Sequence, residues 1–512
     1  MDKSNQIIMN EDDVIFAEKS REAEVNALER KGITEHKEEL ILPDYLPEVH
    51  RLVKISAKAT LPEQFVGGDA AEFSGQVIWS VLYSGENACM DQATATSPYE
   101  YKVDFDIPGG VSFASDNVLV ESVTGRVAAP RKVVLQAKLS HTVDLKTYIS
   151  TDAEIVGDDG EENVKKLEKT VMSEQKIRAF ESDLNAEDLF QVDDTARIAG
   201  VNATAIINTA TVEGPDAICR GTVEITLLVC DEENKPTFTT HQIPIETAIP
   251  TNAEGDGWQC RAAASINDVT TDTTEAGISV LAKLAIEVEL CRNKPVTYIA
   301  DIYSTDRETE LETKKLDLPY ADVCKNFSFT HDAVAMFDGL PENAEILYVT
   351  ALPSCDDIIL EKGKYVFLGN CRYGVLFASP EEYSFRESVL PLRFELCDGS
   401  EAPNDFNVTV KAYACRARLD RDTVTFGSEI AISAYIAGKT TVNAVSMATF
   451  GEPIDDGKKN CFTVAFVSNG DTLWSVAKRY CSDLNTLASQ NGIKPLPVDS
   501  ETSLKGVNYL II

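Results

Sequence analysis

For most of its length this chain alternates apolar and polar residues one for one. That period admits little other than β-strand with one buried face. In "GTVEITLLV" Val223, Ile225, Leu227 and Val229 fall on one side, Glu224 and Thr226 on the other. "GQVIWSVLY" does the same with Val77, Trp79, Val81 and Tyr83. Helical periodicity is scarce before residue 470; the exception is "SREAEVNALERKG" (20–32), which reads as a charged helix. Turn-forming clusters, "VGGDA", "DEENKP" and "DGSEAPND", separate the strand runs. The expected fold class is mainly β.

The strand runs repeat. Gly75 opens one and Pro98 follows 23 residues later; Gly221 opens another and Pro244 follows 23 later; Gly369 precedes a third and Pro391 follows 22 later. The glycines stand 146 and 148 residues apart, and "VVLQAKL" (133–139) is echoed by "SVLAKL" (279–284). Such a period is too long for a solenoid and reads as tandem domains of one kind. The expected division is an N-terminal extension (1–38), β domains at 39–156, 172–303 and 318–455, the third most diverged, and a small unit at 461–512. "GDDGEENVKKLEK" (157–169) and "STDRETELETKK" (304–315) are charged and read as solvated linkers. The acidic run 158–162 lacks the ligand spacing of a calcium loop.

A length of 512 residues is enough for several domains, and a formal charge of −36 disfavours nucleic acid and anionic membrane as partners. The start, "MDKSNQIIMNEDD", has no basic segment followed by an apolar one, and no apolar run approaches the ~20 residues that span a bilayer. Twelve cysteines without a C-x-x-C pair read as buried thiols in a reducing compartment. The expectation is a cytoplasmic chain with no transmembrane segment. "AGKTT" (437–441) contains the tail of a phosphate-binding loop, but Ser433 stands where the earlier glycine belongs, and the stretch reads as a hairpin turn. The histidines at 36, 50, 141, 241 and 331 form no metal-ligand spacing, and no G-x-S-x-G elbow occurs. No catalytic residue, metal or cofactor is assigned, and the chain reads as a non-enzyme.

The end of the chain changes period. In "NGDTLWSVAKRY" Gly470 permits a tight turn, Asp471 or Thr472 can cap a helix, and Leu473, Val476, Ala477 and Tyr480 share one helical face. Asp483 can cap a second helix whose apolar face is Leu484, Leu487 and Ala488, and Asn491-Gly492 suits its end. "FTVAFV" before and "NYLII" after read as strands, giving a β-α-α-β unit. Trp474 reads as a core anchor rather than a sugar platform.

These residues resemble a LysM domain. The resemblance implies a groove for N-acetylglucosamine-containing chains, peptidoglycan or a chitin-type glycan. One side would be Gly470, Asp471, Thr472 and Leu473, the other Asn491, Gly492, Ile493 and Lys494. The loop "KPLPVDSETSLKG" is longer than usual, and Cys481 replaces the usual small turn residue. The groove stays open to two ligands, glycan or protein. Upstream, "ELILPDYLPEVHRLVKISAKA" (39–59), the Gly75 strand ending "VLYSG" and the Pro98 segment resemble the SPOCS domain of endospore-formers. Tandem SPOCS-type domains with a terminal LysM resemble the SipL and SpoVID group of spore-coat morphogenetic proteins. That likeness implies a scaffold at the forespore surface in the mother cell, docked through the LysM and bound to a SpoIVA-like coat basement-layer ATPase. The alternative is a peptidoglycan-binding LysM protein of a cell wall or phage tail. A wall hydrolase would need a catalytic domain for which the repeats leave little room.

Overall fold

The alternating runs form long antiparallel strands that recur in sets of six. The computed structural model describes residues 20–85, 89–157, 163–192, 197–341, 343–379, 382–454, 463–494 and 501–512. The first set holds β1 (Glu22–Ile41), β2 (Arg51–Ala59) continued by β3 (Glu63–Val66), β4 (Ala70–Ser84), β5 (Met90–Asp104), β6 (Phe113–Ala129) and β7 (Lys132–Ser150). A short β8 (Glu154–Val156) leads to the second set: β9 (Val164–Phe190), β10 (Arg197–Glu213), β11 (Asp216–Cys230), β12 (Pro236–Pro250), β13 (Gln259–Thr274) and β14 (Gly277–Ser304). The third is β15 (Arg307–Met336), β16 (Glu345–Glu361), β17 (Lys364–Ala378), β18 (Tyr383–Asp398), β19 (Asp405–Asp420) and β20 (Thr423–Pro453). In each set the last strand lies between the first and the fifth, while the second, third and fourth form a separate sheet with the third in the middle.

The three glycines and three prolines hold equivalent places. Each glycine lies in a middle strand, and the residue after it pairs with the proline: Gln76 with Pro98, Thr222 with Pro244, Asn370 with Pro391. The prolines sit on the outer strands β5, β12 and β18, where a missing N–H removes no ladder bond. The second and third glycines face a β-bulge. The register slips between Ile207 and Thr209 opposite Gly221, and between Cys355 and Asp357 opposite Gly369. The bulge pushes a carbonyl inward, so a Cβ on Gly221 would lie 2.0 Å from the Ile206 oxygen, and one on Gly369 2.0 Å from the Ser354 oxygen. In the first set a break at residues 60–62 replaces the bulge. Gly221→Ala is therefore expected to cost about 2–3 kcal/mol, because backbone must move. A shift of the urea midpoint measures it, and an unchanged midpoint would refute the steric account.

Within each set the apolar faces meet between the sheets. Val77, Trp79, Val81 and Tyr83 are fully buried, as are Val223, Ile225 and Leu227. At ~1.5–3 kcal/mol per buried side chain, such clusters supply the main driving force for each set.

Four sequence expectations are corrected. Residues 22–32 are strand, not helix, because β1 pairs with β7 from Glu22 to Ile41. Residues 22–38 of the expected extension are thus part of the first sheet, and residues 1–19 lie outside the described residues. The expected linkers are strand beginnings: Val164 pairs with Ser304, and Thr309 with Phe450. Ladder hydrogen bonds hold these charged segments where side-chain hydrophobicity does not; the acidic run 158–162 is outside the described residues. "AGKTT" is no hairpin but the middle of β20, where Gly438 lies under the Tyr320 ring and a Cβ would come within 2.2 Å of it.

The sets are joined by a seam of buried charge. Lys176 of β9 lies between Glu289 of β14, 3.2 Å away, and the ring of Tyr435 of β20, 3.4 Å from its centroid. Glu289 also accepts from Arg261 of β13 at 2.7 Å. Glu174 of β9 binds Lys146 of β7 and the Tyr435 hydroxyl. Glu24 of β1 accepts from the Lys176 backbone at 2.8 Å and from Ser112 at 2.6 Å. All three sets contribute, so the seam fixes their mutual placement.

Candidate functional site

The C-terminal module is built by local signals. β21 (Val464–Phe466) leads into a turn at Gly470, whose φ of +98° favours glycine. Asp471 closes the turn, accepting from the Ser468 backbone at 2.9 Å and pairing with Arg479 at 2.9 Å. The Arg479 guanidinium, helped by that backbone N–H, holds the Asp471 carboxyl below its usual range. Thr472 caps α1 (Leu473–Arg479): its hydroxyl accepts from the Ser475 N–H at 3.2 Å, and the Ser475 hydroxyl accepts from the Thr472 N–H at 3.0 Å. Asp483 caps α2 (Leu484–Gln490), accepting from the Thr486 N–H at 2.9 Å.

The end of α2 is a Schellman motif. The Ile493 N–H bonds to the Ala488 carbonyl at 2.9 Å, the Gly492 N–H to the Ser489 carbonyl at 3.3 Å, and Gly492 has φ +67°. Asn491 acts as a cross-strand peptide group: its amide donates to the Ile511 carbonyl and accepts from the Ile511 N–H, at 2.8 and 2.7 Å. It thereby anchors β22 (Tyr509–Ile511), which pairs with β21.

The eight candidate residues thus differ in role. Leu473 is fully buried in the module core, and Ile493 packs against that core. Asp471, Thr472 and Asn491 are engaged in closing turns and helix ends. Gly470, Gly492 and Lys494 face solvent. The returning segment meets the first group directly, with the Leu473 N–H donating to the Thr502 carbonyl at 3.1 Å and the Leu504 N–H to the Asp471 carbonyl at 3.3 Å. The Asp471 turn is therefore walled on one side by residues 502–504, and the shared core cluster ties the two candidate segments into one module.

Trp474 is a core residue, and it also locks the module to the body. Its indole N–H donates to Asp301 of β14 at 2.8 Å, and its ring meets Tyr303 edge-on with centroids 4.9 Å apart. One turn later Lys478 binds the other oxygen of Asp301. The Tyr303 hydroxyl donates to the Ser482 carbonyl at 2.7 Å, and Lys165 of β9 pairs with Asp483 at 2.8 Å. The body thus holds α1, the turn before α2 and, through the Lys169–Glu501 ion pair, the start of the returning segment, while Gly470 and Gly492 stay exposed.

Two features escaped the sequence reading. Val464, Phe466, Tyr509 and Ile511 alternate along β21 and β22 and pair Val464 with Ile511 and Phe466 with Tyr509, leaving one exposed apolar sheet face. The alternation in "FTVAFV" and "NYLII" was the available signal. The second is a line of groups in the body. Asp116 bonds the ring of His141 at 2.7 Å, and His141 bonds the Thr34 hydroxyl at 3.0 Å. That order resembles a nucleophile, base and orienting acid. Thr34 lies mid-strand between two imidazoles, because His36 also bonds its hydroxyl at 2.8 Å. With Tyr101 stacked on His141 at 4.2 Å, the line acts as a core hydrogen-bond chain.

Cys481 occupies the turn between the helices with φ +50°, a conformation costly for a side chain with a Cβ. Cys481→Gly is expected to stabilise the module by about 1 kcal/mol. Its thermal transition checks this, and a lower transition would show that the thiol's packing outweighs the strain.

Residues 467–498 match the LysM domain family model, so the chain carries a LysM domain. The matched span holds both helices, and β21 and β22 close it on either side. No curated protein and no solved structure matches the chain. Among the described residues no helix is long and apolar enough to cross a membrane.

Proposed function

We propose that this protein is a non-enzymatic binding scaffold whose LysM module holds an N-acetylglucosamine-containing glycan, with the three-set β body as its rigid support. The observation that carries this reading is the orientation of the module. It docks through Trp474, Lys478, Ser482 and Asp483, while Gly470, Gly492 and Lys494 remain at the solvent-facing turns. Turn backbone groups suit acetamide and hydroxyl partners, and docking removes the entropy of a swinging tether. The test is co-sedimentation of the full chain, and of a chain ended before Cys461, with peptidoglycan and with chitin. Pelleting that needs the module supports the reading; a full chain that stays in the supernatant with both refutes it.

A second reading takes protein as the ligand, and the exposed face of Val464, Phe466, Tyr509 and Ile511 favours it. In its finer form the chain is a spore-coat morphogenetic scaffold in the mother cell, its LysM docked at the forespore surface on a SpoIVA-like basement-layer ATPase. The SPOCS-like segments at 39–59 and after Gly75 support that form. A fluorescent fusion forming a shell around the forespore, lost without the module, is its expected result. A diffuse or wall-bound signal would sink it.

A further inference from the structure

Where the three strand sets meet they line a partly open chamber of about 560 Å³, within the range of small-molecule sites. Three lysines reach into it, and each crosses from its own set to another. Lys54 of β2 donates to the Thr350 hydroxyl of β16 at 3.0 Å. Lys58 of β2 donates to the Ala203 carbonyl and the Thr204 hydroxyl of β10, at 3.0 and 3.1 Å. Lys411 of β19 donates to the Ala205 carbonyl at 3.2 Å and to the Ala264 carbonyl. Every one of these acceptors is uncharged.

An enclosed ammonium group is costly without a counter-charge. Among the described residues, no carboxylate lies within ion-pair distance of Lys54, Lys58 or Lys411. Of the acids on the chamber wall, Asp116 pairs with His141, Glu287 with Arg178, and Glu289 with Arg261 and Lys176; one oxygen each of Asp116 and Glu289 has no hydrogen-bond partner, and Glu121 and Glu387 also line the chamber. Glu224 accepts from the Ala414 backbone at 2.7 Å. Lys58 keeps accessible surface although protein surrounds it, so that surface faces the chamber. Burial pushes the Lys411 and Lys54 amines down to about 8; at Lys54 the charge of Glu387 opposes the effect, and the charge of Lys58 adds to it on both. A protein of net charge −36 thus gathers three unpaired cations at its centre.

Two further observations point the same way. The Arg261 Nε and the Ser433 hydroxyl lie on the chamber wall, buried and without a hydrogen-bond partner. Both can donate. Further along the same strand pair, next to the lining residue Cys415, β19 carries a bulge at which Ala414 takes φ +51°, a strained backbone for alanine of the kind that clusters at binding sites.

We propose that this chamber binds a small multivalent oxyanion, phosphate-bearing or polycarboxylate, held by Lys54, Lys58 and Lys411 with Arg261 and Ser433 as further donors. Each lysine has three N–H groups and spends one or two on the walls, leaving donors for the ligand. The lysines link different sets, so the bound anion also ties the body together.

The test is calorimetric titration of the full chain with pyrophosphate and with citrate at matched ionic strength. Saturable binding is expected with at least one anion, and which one binds distinguishes the two sources of charge. Lys58→Met and Lys411→Met are each expected to weaken it about tenfold or more, as for loss of a charged hydrogen bond. Lys102→Met, on the surface beside Glu72, should leave it unchanged. Absence of saturable binding, or binding that survives both substitutions, overturns the proposal. Should those variants fail to fold, acetylation of the unaltered chain decides: Lys58 and Lys411 should be protected by the anion, and equal labelling with and without it overturns the proposal.

Discussion

Lys176→Met is expected to destabilise the body by about 3–5 kcal/mol, because it leaves buried carboxylates short of a partner. Lys176 and Arg261 together counter the charge of Glu289, which is 4% exposed, and Lys176 also packs on Tyr435 and Phe113. Burial alone would raise the Glu289 carboxyl, but the two cations outweigh it and hold the group at about 2. A depressed carboxyl contributes stability that is present above its unfolded value of about 4.3 and lost as pH falls towards 2. The acid-unfolding midpoint of the unaltered chain should therefore lie low, and Lys176→Met should raise it. Glu289→Gln should destabilise as well, since it removes the carboxylate that faces two buried cations, Arg261 and Lys176. Urea and acid titrations followed by tryptophan fluorescence measure both. If Lys176→Met shifts neither midpoint, the seam does not hold the sets together.

Trp474→Ala is expected to cost the LysM module about 3–5 kcal/mol, the usual penalty for emptying a large aromatic site. A module of this size has little stability to spare, so the loss should unfold or undock it. Trp474→Phe separates the two contributions. It keeps an aromatic ring against Tyr303 but loses the 2.8 Å hydrogen bond to Asp301, and should cost about 1 kcal/mol in addition to any repacking. Limited proteolysis reads the outcome. Release of the module should speed up strongly for Trp474→Ala and modestly for Trp474→Phe. Equal rates for all three chains would mean that Trp474 does not hold the docked state.

Much of the fold is legible residue by residue. Alternation alone identifies the faces of β4 and β11, and the glycine–proline spacing marks a register that recurs in all three sets. The caps of the LysM helices were legible too, because Asp483 and Asn491-Gly492 act on neighbours a few residues away. Three misreadings share a cause. Residues 22–32, 164–169 and 307–315 are charged or weakly apolar, and local propensity says helix or coil. Backbone pairing to strands far along the chain makes them β, and no side-chain period records that.

Residue order alone carries the β class, the recurring glycine–proline register, the helix caps and the LysM family of the last module. These follow from interactions within a strand pair or a helical turn. Where the polar faces go depends on how the sheets pack. Glu224 and Thr226 read as a solvent face, yet they line the chamber. Lys58 meets Ala203 across 145 residues, and Glu174 meets Tyr435 across 261. Trp474 turns from a module anchor into a clasp on Asp301 in the same way. Charge complementarity between strands so far apart leaves no periodic trace in the chain, because it depends on how whole sheets pack and not on the order of neighbouring residues.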